Sequence, residues 1–396
     1  MKKIFLLVAI IATLCLTGCG KLGDKEIKDN FIKETENLKS YYMEGSLKLT
    51  NNDDNYEYDV EVSYQKSDNY KVSLTNKANN YKQIILKNKD GVFVITPSLN
   101  KSFKFQSDWP DNNSQSYLLN SVAKDLKNDN NYKFTQENDN YIFTTKTNYP
   151  NNPKYKKQNI TLDKNYSLKK VEVKDDQNVS YIEFNSTKID KKAKFSEEEF
   201  SLEEITKDFK KEEDTENTND KNNQNEQKSE NNNTQNNDAN KETNGQQENN
   251  ISENTNQNEN NNSSSNNQNE NSNSEDTNQT SKIDENLFPL YLPTNTTLKD
   301  KEVIETTNGE RVIMTFGGDN PFILVQETVK PSKDLEIIPT YGEPFMLIDT
   351  VGSLTDTSYT WTSNNVEYYI VSDQMDKNEL LKVAKSINIV SAINEK

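Results

Sequence analysis

Residues 56 to 64 read YEYDVEVSY, so Tyr56, Tyr58, Val60, Val62 and Tyr64 alternate with acidic or hydroxyl residues. A period of two puts the first set on one face of a strand and the second on the other, as in an antiparallel strand with one face buried. Segments of the same character follow: NYKVSLT, YKQIILKN, GVFVITP, SFKFQ, YKFTQE, YIFTTKT, QNITLD, SLKKVEVK and VSYIEFNSTKI. Turn-forming KNKDG, TQENDN and DDQN lie among them. Two stretches change to a helical period. Ahead of the strands, Ile27, Phe31, Leu38 and Tyr42 recur at helical spacing, with Glu34 interrupting the stripe. Within the series, Tyr117, Leu118, Val122 and Leu126 share one side of SQSYLLNSVAKDLKND. The pattern predicts an antiparallel meander with one helix before it and one inside it. Because open, twisted sheets rarely exceed about ten strands, this one is expected to curl, with helices filling its concave side.

From about residue 210 to 280 apolar positions nearly vanish, in runs such as NENNNSSSNNQNENSNSEDTNQT. Ordering such a segment costs backbone entropy with no burial to offset it, so it reads as a disordered, Asn/Gln-rich tether. The Asn/Gln bias could support self-association, but interspersed Glu, Asp and Lys oppose the stacking of like chains, and a spacer is the simpler use. Beyond it the strand pattern returns at 298–305, 310–316 and 321–329, with TTNG and GGDN as turns, and later in GEPFMLIDT. Trp361 then lies one strand before Val366, Tyr368 and Ile370. Asp376 and Glu379 have the spacing of a capping box for a helix carrying Leu380, Val383, Ala384 and Ile387.

The N-terminus changes the picture from folding to location. Lys2 and Lys3 precede an apolar run, Ile4 to Leu16, that is short for a membrane span and has the outline of a secretory signal. Leu16, Thr17, Gly18 and Cys19 resemble a bacterial lipoprotein signal, which implies a lipid thioether on Cys19 and cleavage just before it. Two or three acyl chains anchor durably where one gives marginal binding, so the resemblance implies attachment at the extracytoplasmic face of the cell membrane. The expected organisation is a leader over 1–18, a first domain over 19–207, a linker over 208–282 and a small α+β domain over 283–392.

Composition then removes most chemistry. There is no histidine and only two cysteines, of which Cys15 leaves with the leader and Cys19 is consumed by the lipid. No imidazole base, His-containing triad, thiol nucleophile, disulfide or His/Cys metal site is available, and no cofactor or metal is expected. The formal charge of −17, or −19 without Lys2 and Lys3, repels nucleic-acid phosphates and gives no patch for anionic lipid. Glu57, Asp59 and Glu61 alternate with core tyrosines, so solvation explains them better than paired-carboxylate catalysis. SEEEFSLEE lacks calcium-loop spacing and reads as a charged helix or turn, and Gly317-Gly318 lack the context of a phosphate cradle.

Residues 85 to 122 carry a strand ending in GVFVITP, a hairpin to KSFKF, a Trp-Pro, a polar gap and then YLL opening a helix. That order resembles the LolA-like lipoprotein-sorting family as it occurs in single-membrane bacteria. The resemblance implies a curled antiparallel sheet, an unclosed barrel with lid helices, whose apolar cavity accommodates acyl chains or an extended peptide. The C-terminal strand-turn-strand-helix resembles a small domain of Gram-positive envelope lipoproteins and regulators. With cavity-lining residues guessed as Phe93, Ile95, Phe103, Phe105, Trp109, Leu118 and Phe143, the leading expectation is a membrane-anchored, non-catalytic binder of lipid or lipoprotein acyl chains. The alternative is a module that docks an envelope protein partner in sporulation, germination or envelope-stress signalling.

Overall fold

The computed structural model describes residues 23–51, 54–66, 68–207, 209, 283, 288–347 and 350–394; the expected leader, Cys19 and nearly all of the expected linker lie outside the described residues. Helix α1 (Asp24–Asn37) leads into β1 (Ser40–Asn51), β2 (Asp54–Gln65), β3 (Asn69–Asn76), β4 (Lys82–Asn88), β5 (Gly91–Thr96) and β6 (Lys101–Phe105). Helix α2 (Leu119–Asn128) separates these from β7 (Lys133–Glu137), β8 (Asn140–Lys146), β9 (Lys157–Leu162), β10 (Leu168–Lys174) and β11 (Ser180–Asp190), and α3 (Leu202–Lys207) follows a single 3-10 turn at Glu197–Phe200. The second part contains β12 (Thr296–Thr306), β13 (Gly309–Gly318), β14 (Phe322–Thr328), β15 (Glu336–Thr340), β16 (Glu343–Met346), β17 (Val351–Leu354), β18 (Ser358–Ser363), β19 (Val366–Val371) and helix α4 (Lys377–Asn394).

The alternation in β2 is realised except near its end: Tyr58, Val60, Val62 and Tyr64 are buried and Glu57, Asp59 and Glu61 are exposed, but Ser63 on the outward face is buried, donating to the Glu199 carboxylate at 2.8 Å. The helical stripe is not realised to its end. Helix α1 stops at Asn37, Leu38 still packs in the core, and Tyr42 belongs to β1. The pattern had concealed β1 because Gly45 interrupts the inward series Tyr41, Met43 and Leu47. A Cβ on Gly45 would lie 2.6 Å from the Phe184 ring and from the Asn185 carbonyl, at a register shift against β11. Tyr41, Tyr64 and Tyr70 stand opposite one another across β1, β2 and β3, with ring centroids 5.0 and 4.9 Å apart, and Trp109 meets Tyr70 edge-on at 5.8 Å. Helices α1 and α2 pack on this face through Ile27, Phe31, Leu119, Val122 and Leu126. The buried Lys28 ammonium donates to the Asp129 carbonyl at 2.9 Å, a cation on the C-terminal end of α2.

Strands β4 and β5 are buried on both faces, which explains their continuous apolar runs. Ile85, Val92 and Val94 face the helices, while Ile84, Leu86, Phe93 and Ile95 face away and are covered by Phe200 with Phe195, Leu202 and Ile205. SEEEFSLEE is thus a turn and a short helix, anchored by Phe200 and by a Glu199–Lys71 pair at 2.6 Å.

The first sheet has twelve strands in the order β15-β6-β5-β4-β3-β2-β1-β11-β10-β9-β8-β7, and the second has seven in the order β12-β13-β14-β19-β18-β17-β16. The expected curled, LolA-like unclosed barrel is therefore corrected: the α+β class stands, but the large sheet is an open linear array whose ends, β15 and β7, do not pair. A sheet curls to bury an apolar face on itself. Here α1 and α2 cover one face, the 195–209 segment covers β4 and β5 on the other, and β15 occupies the edge at β6. Strand β15 is also the one parallel member of the sheet, contributed by the second part of the chain.

In the second sheet the three early strands fall where the pattern placed them. Trp361 stacks on Tyr368 with centroids 5.0 Å apart, and Leu380, Val383, Ala384 and Ile387 of α4 close the core. Asp376 caps α4, its Oδ1 accepting from the Asn378 and Glu379 amides at 2.8 and 3.1 Å. The Glu379 carboxylate instead accepts from the Tyr291 hydroxyl and from Lys382.

Candidate functional site

The two parts of the chain are joined by specific polar contacts. Beside the β15–β6 pairing, the Asn100 side chain donates to the Ser332 carbonyl at 2.8 Å, and the Glu336 amide donates to the Asn100 carbonyl at 2.9 Å. Two residues after β15 the chain enters β16 through Gly342, whose φ of 92° and 2.5 Å Cβ distance to the Leu354 carbonyl admit no side chain without strain. The Glu343 carboxylate then accepts from the Ser107 hydroxyl and, at 2.6 Å, from the Asn112 amide. Buried Gln83 of β4 reaches β17: its Oε1 accepts from the Val351 amide at 2.6 Å and the Thr350 hydroxyl at 3.2 Å, and its Nε2 donates to the Val351 carbonyl at 3.4 Å.

These contacts frame a cleft of about 400 Å³. Its first wall is Leu47 and Leu49 of β1, Ile85, Trp109, Tyr117 and the Tyr149–Tyr155 loop; its second is Pro344 to Leu347, Val351 and one side of α4. The volume lies within the range of about 300 to 1,000 Å³ usual for small-molecule sites. The lining is aliphatic and aromatic apart from a few amides and hydroxyls and three lysines, Lys154, Lys382 and Lys385; among the described residues it contains no carboxylate. Lys382 is paired with Glu379 at 2.7 Å. Lys154 lies 5.9 Å from the Tyr181 ring centroid, and neither it nor Lys385 has a carboxylate partner among the described residues. Desolvation, reinforced by the like charge of Lys154, pushes the Lys385 amine down to about 8. Burial raises the Tyr117, Tyr149 and Tyr155 hydroxyls, so these groups stay neutral.

A lysine depressed in this way has one attribute of an amine nucleophile, but among the described residues no carboxylate lines the cleft to move its protons, and the chain has no histidine. Among the described residues no group of three or more His, Cys, Asp or Glu side chains is placed to hold a metal.

Of the seven residues guessed from the sequence, Trp109 lines this cleft. Phe105, Leu118 and Phe143 lie in the core beneath α1 and α2, Phe103 packs partly buried against it, and Phe93 and Ile95 face the opposite side of the sheet. Tyr117 belonged to the helical stripe but lies before the helix, which starts at Leu119, and it lines the cleft. The Tyr149–Tyr155 loop, Val351, Lys154 and Lys385 carried no periodic signal. The nearest was a proline-bounded aromatic and lysine cluster, YPNNPKY, between two strands.

No family profile matches the chain. Over 397 aligned residues it is 32% identical to the sporulation protein YdcC of Bacillus subtilis strain 168, with 98% of each chain covered. The chain belongs to the family of that sporulation protein. Among solved structures, a chain of the Pseudomonas aeruginosa MucA/MucB complex matches 91% of this chain and 97% of its own at 10% identity and a TM-score of 0.29. A LolA superfamily protein from Nitrosomonas europaea matches 46% of this chain and 99% of its own at 11% identity and a TM-score of 0.27. A chain of the Clostridioides difficile complex of the CwlD amidase with the GerS lipoprotein matches 45% of this chain and 98% of its own, at 17% identity and a TM-score of 0.17. Likenesses at such TM-scores decide neither fold nor function. No helix among the described residues is long and apolar enough to cross a membrane.

Proposed function

We propose that this chain is a non-catalytic regulatory protein of the cell envelope that acts in sporulation by docking a partner protein, and that an acylated Cys19 holds it at the extracytoplasmic membrane face. The observation that carries the reading is the end-to-end similarity to a sporulation protein. The lipoprotein-like order Leu16, Thr17, Gly18, Cys19 supports the anchor. The docking role draws support from the outer face of the second sheet. Ile313 pairs with Val325 and Val325 with Tyr369, while Ile323 lies two residues away on the same face. Ile323 and Tyr369 are 40% and 38% exposed, and the Arg311–Glu327 pair at 2.6 Å closes one end of this stripe. An apolar stripe with a charged rim is the anatomy of a protein interface. The acyl-chain reading has no support in the guessed lining residues, which are divided between two faces of the sheet.

The test is photocrosslinking from position 369 in sporulating cells, followed by spore counts. The expected result is one envelope protein recovered in fixed ratio, lost together with sporulation efficiency in Ile323→Glu. Normal sporulation of a strain lacking the chain would overturn the reading, as would crosslinks that Ile323→Glu leaves unchanged.

A further inference from the structure

The two sheets end in four edge strands, and β12 differs from the other three. Strands β15, β16 and β7 are 5, 4 and 5 residues long, and the first two carry Pro339 and Pro344. Short edges and prolines resist the addition of another strand. Strand β12 runs for 11 residues without a proline, and its Val303 and Ile304 are 51% and 37% exposed on opposite faces. A long edge with exposed apolar side chains is a template for a further strand.

The register fixes which backbone groups that edge offers. Thr306 pairs with Gly309 around the two-residue turn, and alternate pairs back along the hairpin exchange hydrogen bonds. Glu310, opposite Glu305, lies out of phase with them: its amide donates to the Thr328 hydroxyl at 2.9 Å, on the β14 side. Lys301, Val303 and Glu305 share that phase, so their N–H and C=O groups point out of the sheet. An antiparallel copy related by a two-fold axis must centre on one of these residues. Centring on Lys301 or on Glu305 sets that charge against its own copy. Centring on Val303 sets Val303 against Val303 and Lys301 against Glu305 twice, all on one face, where opposite charges attract. The register shift between Leu298 and Asp300 ends the regular ladder beyond this stretch.

We infer that a second copy of this chain pairs antiparallel along β12, with the two-fold axis at Val303. Each facing pair of outward-pointing residues exchanges two backbone hydrogen bonds, and Glu302 of one copy stands opposite Ile304 of the other on the reverse face. The axis runs perpendicular to the sheet, so the second sheets of the two copies join edge to edge with the same face outward. Their stripes around Ile323 and Tyr369 then lie on one side of the joined sheet. Closure by a two-fold axis stops the assembly at two copies. The inference concerns the β12 edge and stands whether or not the outer face of the second sheet docks a protein.

The experiment uses the chain from residue 19 onward with Cys19→Ser, which leaves it without a thiol, and follows sedimentation velocity from micromolar to millimolar protein, the range for a small interface. The expected result is a reversible equilibrium between monomer and dimer with no larger species. Lys301→Glu sets like charges opposite each other at both ends of the pairing and weakens the dimer by about tenfold or more. Lys301→Glu combined with Glu305→Lys exchanges the two signs and restores dimerisation to within about threefold. Lys330→Glu, at an exposed position outside β12, makes the same change in net charge and leaves the equilibrium as it was. Circular dichroism reports an intact fold in each variant. Under mild oxidation, chains with Glu302→Cys crosslink to chains with Ile304→Cys faster than either crosslinks to itself, because only the mixed pair stands directly opposite. A chain that stays monomeric at millimolar concentration would overturn the inference, as would assembly that continues past two copies. So would a dimer that Lys301→Glu leaves intact, one that the double substitution fails to restore in folded protein, or self-crosslinking as fast as that of the mixed pair.

Discussion

Gln83→Ala tests how the two sheets are held together. Gln83 is 4% exposed, and its side-chain amide brackets the Val351 backbone, accepting from the N–H at 2.6 Å and donating to the carbonyl at 3.4 Å. Truncation removes the partner of a buried N–H, which costs about 1 to 3 kcal/mol, and the longer bonds to the Val351 carbonyl and Thr350 hydroxyl add less. Val351 itself packs in the core of the first sheet, so its backbone cannot turn to water without lifting that side chain out. The expected loss is about 2 to 4 kcal/mol, a large share of the margin by which a domain is stable. Urea unfolding followed through Trp109 and Trp361 measures the loss, and hydrogen exchange at the Val351 amide localises it. Exchange should accelerate there first, before the amides of β2 and β3. A loss below about 0.5 kcal/mol with unchanged protection at Val351 would refute the reasoning.

Gly342→Ala places a Cβ 2.5 Å from the Leu354 carbonyl at a φ of 92°, and a loss of about 1 to 3 kcal/mol is expected in urea unfolding, with faster exchange along β15 and β16. Asp376→Ala removes the acceptor for two amides at the start of α4 and should cost about 1 kcal/mol, read as a lower midpoint in the same assay. Lys385 is faced by Lys154 from the β8–β9 loop, by Lys382 on its own helix and by neutral tyrosines, and its amine is pushed down to about 8 against an ordinary 10.5. Between those pH values the unfolded chain holds the extra proton, so this group makes stability rise with pH, its penalty being complete below about 8. Raised tyrosines oppose that trend, so the measurement is the difference in urea midpoint between pH 7.5 and 10 for wild type and Lys385→Met, and an identical pH dependence of the two would count against it.

Much of the local architecture was legible because each strand with one solvated face writes its exposure into a period of two. The series Tyr58, Val60, Val62, Tyr64 and the cap-to-core sequence from Asp376 to Ile387 are such cases. The signal faded where a different constraint intervened. Gly45 breaks the period of β1 because the Phe184 ring leaves no room for a side chain. In β4 and β5 both faces are covered, so apolar runs become continuous, and which face Phe93 or Ile95 takes cannot be seen in the run itself. The candidate site was mostly illegible for a related reason: Lys154 and Lys385 are 231 residues apart and line one cleft only in the folded chain.

The sequence by itself determined the alternating strands, the two early helices, the helix at the C-terminus and the absence of histidine chemistry, since these depend on residue type and near-neighbour spacing. Only the tertiary structure decided that the large sheet stays open, that EIIPT leaves its own sheet to pair in parallel with β6, and that a cleft forms between the parts. Each of these depends on which distant segment covers an exposed edge or face. That choice is made by the burial and hydrogen bonding of whole surfaces, such as Gln83 against Val351, and it leaves no periodic trace along the chain.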